Sequence, residues 1–185
     1  MTKGFFLGVH VSISGGLHLA PVRAAGLGCN AMQIFSHSPR SWRYKSPTDD
    51  EIELFKEKIR EYKIERFFVH SSYLINLCSE NSEVREKSEK LLLYEAHLSS
   101  RLGADALILH PGRAGGGDPQ GAVKMIARSL DRVGEEVGKP VIALETTAGQ
   151  SGELGSTIEG LGEIIDRTKG VAIRGICIDT CHLFA

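Results

Sequence analysis

Four short apolar runs each finish on a side chain able to hold a metal: Phe67-Phe68-Val69-His70, Leu107-Ile108-Leu109-His110, Val141-Ile142-Ala143-Leu144-Glu145 and Ile176-Cys177-Ile178-Asp179, the last followed by His182. Imidazole and carboxylate together suit zinc or manganese, with no thiolate needed. Glu145 has two oxygens and could bridge two metals. A metal pair about 3.5–4 Å apart would activate water for in-line attack on a phosphodiester and neutralise the charge that develops on its oxygens. One strand ending in His would carry little weight, because a polar group that hydrogen-bonds a loop explains it as well. Four such runs in succession point to a metal site.

The elements that must position these residues follow from the spacing. Positions 70, 110, 145 and 179 lie 40, 35 and 34 residues apart, the length of one strand plus a crossover helix and its loops. Parallel strands in register would deliver these side chains to one end of one sheet, as a (β/α) barrel does at its C-terminal face. Candidate strands are 5–11, 31–35, 66–70, 105–110, 140–145 and 173–179, near-continuous apolar runs of the kind found in a parallel sheet covered on both faces. Between them lie helix signals. Thr48-x-x-Glu51 is a capping box before Ile52, Phe55, Ile59 and Tyr62, and Ser156-x-x-Glu159 reads as another before Leu161, Ile164 and Ile165. Asp118-Pro119 opens a helix through Val123, Ile126, Leu130, Val133 and Val137 that Gly138 closes. A helix over 82–102 presents Val84, Leu91, Leu92 and Leu98 and stops at Gly103, and a first helix over 16–25 follows Ser14.

At 185 residues, 42% hydrophobic and 24% charged, the chain has the composition of one globular domain with a sizeable core. The apolar stretch Phe5 to Val9 is too short for a signal peptide or a membrane span, so no membrane association and a cytoplasmic location are expected. Cys29, Cys78, Cys177 and Cys181 read as buried reduced thiols. Cys177-x-x-x-Cys181-His182 has one residue too many for a haem-attachment motif. The net charge is −1, but no acid occurs from Met1 to Thr48, where Lys3, Arg23, Arg40, Arg43 and Lys45 give +5 and leave −6 for the rest. A local basic surface can therefore exist on a protein that is not basic.

The fold class is α/β, a TIM (β/α)8-type barrel with six of its eight βα units over 1–185 as a single domain, expected to be C-terminally incomplete and to leave its first and sixth strands as open edges. A doubly wound open sheet is the competing architecture. Its G-x-G-x-x-G signature is missing after the first strand, and the glycine-rich 112–117 lacks the Lys-Ser/Thr of a P-loop.

The segments His70-Ser71-Ser72-Tyr73-Leu74-Ile75-Asn76-Leu77, Leu109-His110-Pro111-Gly112, Leu144-Glu145-Thr146-Thr147-Ala148-Gly149-Gln150 and Cys177-Ile178-Asp179-Thr180-Cys181-His182 closely resemble endonuclease IV, the zinc-dependent apurinic/apyrimidinic endonuclease family (family 2) of base-excision repair. Gly8-Val9-His10-Val11-Ser12 and Arg40-Ser41-Trp42 fit as well. The resemblance implies three zincs in a TIM barrel: His70 and His110 on the first, Glu145 bridging the first and second, Asp179 on the second and His182 on the third. His10 is a candidate to support these ligands. The family's later strand-end His, Asp-x-His pair and C-terminal Glu have no counterpart here, so only the first zinc has its full protein set. Thr146 stands where some members have Asn, a change expected to matter little.

The acid-free segment Ser36 to Lys45 interleaves cations with Trp42 and Tyr44, and cations can meet phosphates while planar groups fill a gap in a base stack. The resemblance implies that Arg40, Tyr73 and Leu74 enter the duplex and help hold the abasic nucleotide out of it. His18, His37 and His97 carry no comparable signal. The expected function is hydrolysis of the phosphodiester 5′ to an abasic site in double-stranded DNA, leaving a 3′-hydroxyl, by an enzyme that is monomeric when complete. The alternatives are a divalent-metal sugar isomerase or epimerase on a similar barrel, and an inactive fragment of the nuclease.

Overall fold

The computed structural model describes residues 5–139 and 141–185. Its frame is one parallel sheet whose strands follow chain order: β1 (Gly8–His10), β2 (Ala31–Phe35), β3 (Arg66–His70), β4 (Ala106–Leu109), β5 (Ile142–Glu145) and β6 (Ile173–Cys177). Helices α1 (Leu19–Gly26), α2 (Asp49–Glu61), α3 (Ser82–Leu102), α4 (Pro119–Val137) and α5 (Ile158–Asp166) make the crossovers, and α6 (Thr180–Phe184) follows β6. Parallel neighbours require a crossover between them, so spatial order equal to chain order is what successive βα units produce. This is the order that six successive units of a (β/α) barrel would take. No helix among the described residues is long and apolar enough to cross a membrane.

Strands β2 and β3 have the expected bounds and the other four are shorter. Phe5 to Leu7 are exposed coil, and Pro140, the expected start of the fifth strand, lies outside the described residues, as do Met1 to Gly4. His110 and Asp179 each stand just beyond a strand, where the backbone has left the ladder for a loop.

Side chains on a strand alternate between faces, and parallel register carries that alternation across the sheet. Phe35 pairs with His70, His70 with Ile108, Ile108 with Ala143, and Glu145 with Cys177. Phe35, His70, Ile108, Ala143, Glu145 and Cys177 therefore share the inner face, and Val69, Leu107, Leu109, Ile142 and Leu144 point outward to the helices. The outward set builds the main core with Phe55, Leu91, Leu92, Ile126 and Leu130, all at most 1% exposed. The inner face holds a small apolar cluster of Ala106, Ile108 and Ala143, with Phe68 and Cys177 against it. Coverage of both faces holds in the middle of the sheet, whereas Arg174 and Ile176 of β6 are exposed.

Caps explain most helix bounds. The Thr48/Glu51 capping box closes on α2, which buries Ile52 and Phe55, and the Phe55 ring meets Phe67 edge-on at 5.1 Å. Asp118 caps α4 with proline at its first turn, and Gly138 and Gly103 end α4 and α3 in left-handed conformation. Two expectations are corrected. Helix α1 starts at Leu19 and not at 16, because Gly15 and Gly16 take φ of 86° and 131°, outside helical space. The cap of α5 is Thr157 and not Ser156, since its hydroxyl immediately precedes Ile158 and reaches the Gly160 N–H at 3.0 Å.

Candidate metal centre

His70 closes β3 with its ring on the inner face, 7% exposed. Its Nδ1 lies 2.8 Å from the Ser71 carbonyl and its Nε2 lies 3.1 Å from Glu145 Oε2. His110 comes from the loop after β4 and brings Nε2 to 3.2 Å from that same carboxylate oxygen. His110 is held from below: Gly112, at φ 134°, lets the chain press on Asn76, whose side chain bonds both the N–H and the carbonyl of Arg113. Donor atoms of His70, His110 and Glu145 all lie within 4.8 Å of one another.

A proton count tests whether a cation fits. His70 Nδ1 faces a carbonyl and must carry hydrogen, while Nε2 faces a carboxylate, which offers only lone pairs once ionised. The ring must therefore be imidazolium, or a cation must stand at Nε2. Burial alone would push Glu145 up, but the His110 and His70 hydrogen bonds outweigh it and bring the carboxyl to about 2. Burial alone would lower His70, and its bonds to Glu145 and the Ser71 carbonyl raise it above 6.5. The site is thus built around positive charge, and the residues fit a divalent metal.

That geometry predicts proton-linked metal binding. In the metal-free protein the raised His70 contributes stability that is complete below pH 6.5 and lost as pH rises through its folded value. A metal must displace this proton, so affinity should fall as pH falls and uptake should release protons. Calorimetric titration in two buffers of different ionisation enthalpy checks it; identical heats in both would contradict the proton count.

A second group lies beside the first and shares Glu145 with it. Asp179, His182 and Glu145 offer donor atoms within 4.8 Å of one another. Asp179 caps α6 through Oδ1, which accepts the His182 N–H at 2.9 Å, and its Oδ2 stands 3.7 Å from His182 Nδ1. The resemblance implies Asp179 on the second zinc and His182 on the third, and here both stand within reach of Glu145. Their organiser is Thr146, fully buried. Its hydroxyl accepts the Asp179 N–H at 2.9 Å, its carbonyl accepts His182 Nδ1–H at 2.8 Å and leaves Nε2 free, and its N–H donates to Cys177 O at 3.0 Å. The sequence undervalued this residue. Thr146→Val, which keeps the shape and removes the hydroxyl, should weaken metal at the Asp179/His182 group about 10- to 100-fold and leave the His70/His110 group filled; equilibrium metal titration checks it.

The remaining candidates fall around this centre. Tyr73 is 58% exposed, and its ring meets Phe35 edge-on at 5.1 Å and His70 at 5.7 Å. Leu74 beside it is half-buried, and Arg40 is exposed on the neighbouring loop, joined to Tyr73 by the Tyr73 N–H donating to Pro39 O at 3.1 Å. A cleft lined by Tyr73, Leu74, Asn76, Arg113 and Glu153 reaches His110. Trp42 packs against the core, and Tyr44 stacks on Tyr94 at 3.7 Å, so both shape the loop. His10 is exposed, 4.5 Å from the Phe35 ring and 3.0 Å from Gln33 Nε2; its ring lies 6.4 Å from His70 with no hydrogen bond to it among the described residues. His37, set aside in the sequence, is buried and paired with Glu95. The cysteines are all free thiols, but only Cys78 is buried and Cys181 is exposed.

Comparison with known proteins identifies the family. The sequence matches the family described as xylose isomerase-like TIM barrel over residues 21–185. It is 39% identical to the probable endonuclease 4 of Halothermothrix orenii, over 97% of this chain and 65% of that protein, and 40% identical to that of Thermosipho africanus, over 96% and 64%. The chain thus spans about 65% of the length of such relatives. Endonuclease IV from Thermus thermophilus superposes with a TM-score of 0.81 at 32% identity, over 96% of this chain and 64% of that one. A D-tagatose 3-epimerase-like protein superposes at 0.73 and 20% identity, over 96% and 66%, a likeness of fold alone. By sequence and fold, the chain belongs to the apurinic/apyrimidinic endonuclease 2 family of xylose isomerase-like TIM barrels, alongside endonuclease IV.

Proposed function

We propose that the full-length protein is a zinc-dependent apurinic/apyrimidinic endonuclease that hydrolyses the phosphodiester 5′ to an abasic site in double-stranded DNA and leaves a 3′-hydroxyl. The observation that carries this reading is the sharing of Glu145 between two three-donor groups at one end of the sheet. Zinc held there supplies Lewis acidity, polarising phosphoryl oxygens and neutralising the charge that develops on them. The chain's own residues do the rest. His70, His110 and Glu145 form one holder, Glu145, Asp179 and His182 the other, and the Ser71 and Thr146 carbonyls fix the ring orientations of His70 and His182. Arg40 offers charge to the DNA backbone, and the exposed Tyr73 ring with Leu74 enters the gap at the lesion. The reading includes a cytoplasmic, monomeric enzyme.

Incision of duplex DNA carrying one abasic site, run beside metal analysis, tests it. Metal-dependent cleavage 5′ to the site with a ligatable 3′-hydroxyl supports the proposal. Isomerisation or epimerisation of a sugar without incision would replace it with the sugar-converting alternative.

A further inference from the structure

Glu95 is a carboxylate on the core-facing side of α3, 1% exposed, between the buried Leu92 and Leu98. An acid so placed is costly unless its oxygens are met. Among the described residues they are met from two loops. His37 Nε2 lies 3.0 Å from Oε1 and the Ser36 hydroxyl 3.4 Å from it, both from the loop after β2. The Ser72 N–H donates to both oxygens, at 3.1 and 3.2 Å, from the loop after β3. The loops are also joined directly, because Pro39 O accepts the Ser72 hydroxyl at 2.9 Å and the Tyr73 N–H at 3.1 Å. His37 packs beside Tyr44 and Tyr94, and its Nδ1 is buried with no partner among the described residues, so Glu95 is the sole hydrogen-bonding restraint on that ring. Ser72 is two residues from His70, whose Nδ1 is set by the Ser71 carbonyl.

We propose that Glu95 is a positioning residue for lesion recognition: it clamps the loops that carry Arg40 and Tyr73-Leu74 into one rigid edge at a fixed offset from His70. The inference rests on the DNA-cleaving reading above and adds a determinant of its specificity. Without the clamp, binding must itself order those side chains, which should weaken abasic-duplex binding roughly 10- to 100-fold. Intact duplex, held mainly through phosphates, should be little affected.

The test uses the full-length protein loaded with zinc and two variants. Glu95→Gln keeps the shape and one acceptor, and His37→Gln puts a shorter side chain in place of the ring that reaches Glu95 from the other loop while leaving the acid itself in place, so it carries the test if the first variant fails to fold. Hydrogen exchange should show 36–45 and 71–77 losing protection together. Titration of abasic and intact duplex should show the preference falling about tenfold or more, with metal content unchanged. Exchange that rises in neither loop, or in one alone, overturns the clamp. Coupled loosening with an undiminished abasic preference overturns the role in recognition. A parent protein with no abasic preference overturns the functional reading itself, which the parent titration reveals before any variant is compared.

Discussion

Glu145→Gln should abolish metal-dependent incision by the full-length protein, lowering the rate by on the order of a thousandfold or more. The substitution preserves volume and removes charge. His70 Nε2 and His110 Nε2 both reach the same Glu145 oxygen, at 3.1 and 3.2 Å, and Glu145 also completes the Asp179/His182 group, so both groups lose their common ligand at once. His70→Asn touches one group and should leave metal at the other. The measurement is metal stoichiometry beside single-turnover cleavage. Glu145→Gln should retain less metal than His70→Asn, and equal stoichiometry in the two variants would show that Glu145 is not shared. The variant should fold, because the main core lies on the opposite face of the sheet from Glu145.

The placement of His70 and Glu145 is readable in the sequence because strand register and a two-residue period leave little freedom once the strands are parallel, and His110 and Asp179 follow their strands closely enough to be carried to the same end of the sheet. The capped helices α2 and α4 are readable for a similar reason, since local hydrogen bonds set their ends. What escapes is set by tertiary contact. Glu95 falls on the apolar stripe of α3 formed by Leu91, Leu92, Leu98 and Leu102, and an acid at such a position is the available signal, but its partners His37 and Ser72 are 58 and 23 residues away. Thr146 is one of several polar residues after Glu145, and its importance appears only when α6 brings Asp179 and His182 to its hydroxyl and carbonyl. Cys181 stands beside an apolar run, yet it lies on the solvent side of the short α6.

Tyr73→Ala in the full-length protein should weaken binding to abasic duplex roughly 5- to 150-fold, the effect of losing about 1–3 kcal/mol of base stacking. The ring is suited to this because it is more than half exposed while Phe35 and His70 hold it edge-on from below, so little order remains to be imposed on binding. Nothing in the main core depends on it, and metal content and thermal stability should stay near those of the parent. Arg40→Ala acts by a different force. The exposed guanidinium sits one residue beyond Pro39, the residue that bonds Tyr73, and if it meets a phosphate its loss should reduce the salt dependence of binding by about one counterion. Titrating abasic and intact duplex at two or more salt concentrations separates the two effects. Tyr73→Ala should lose affinity for the lesion with the salt slope unchanged, and Arg40→Ala should lose affinity for both duplexes with a shallower slope. Parental affinity for the lesion in both variants would assign this edge of the barrel a purely structural role and remove the DNA-facing half of the functional proposal, while the metal centre behind it would stand on its own geometry.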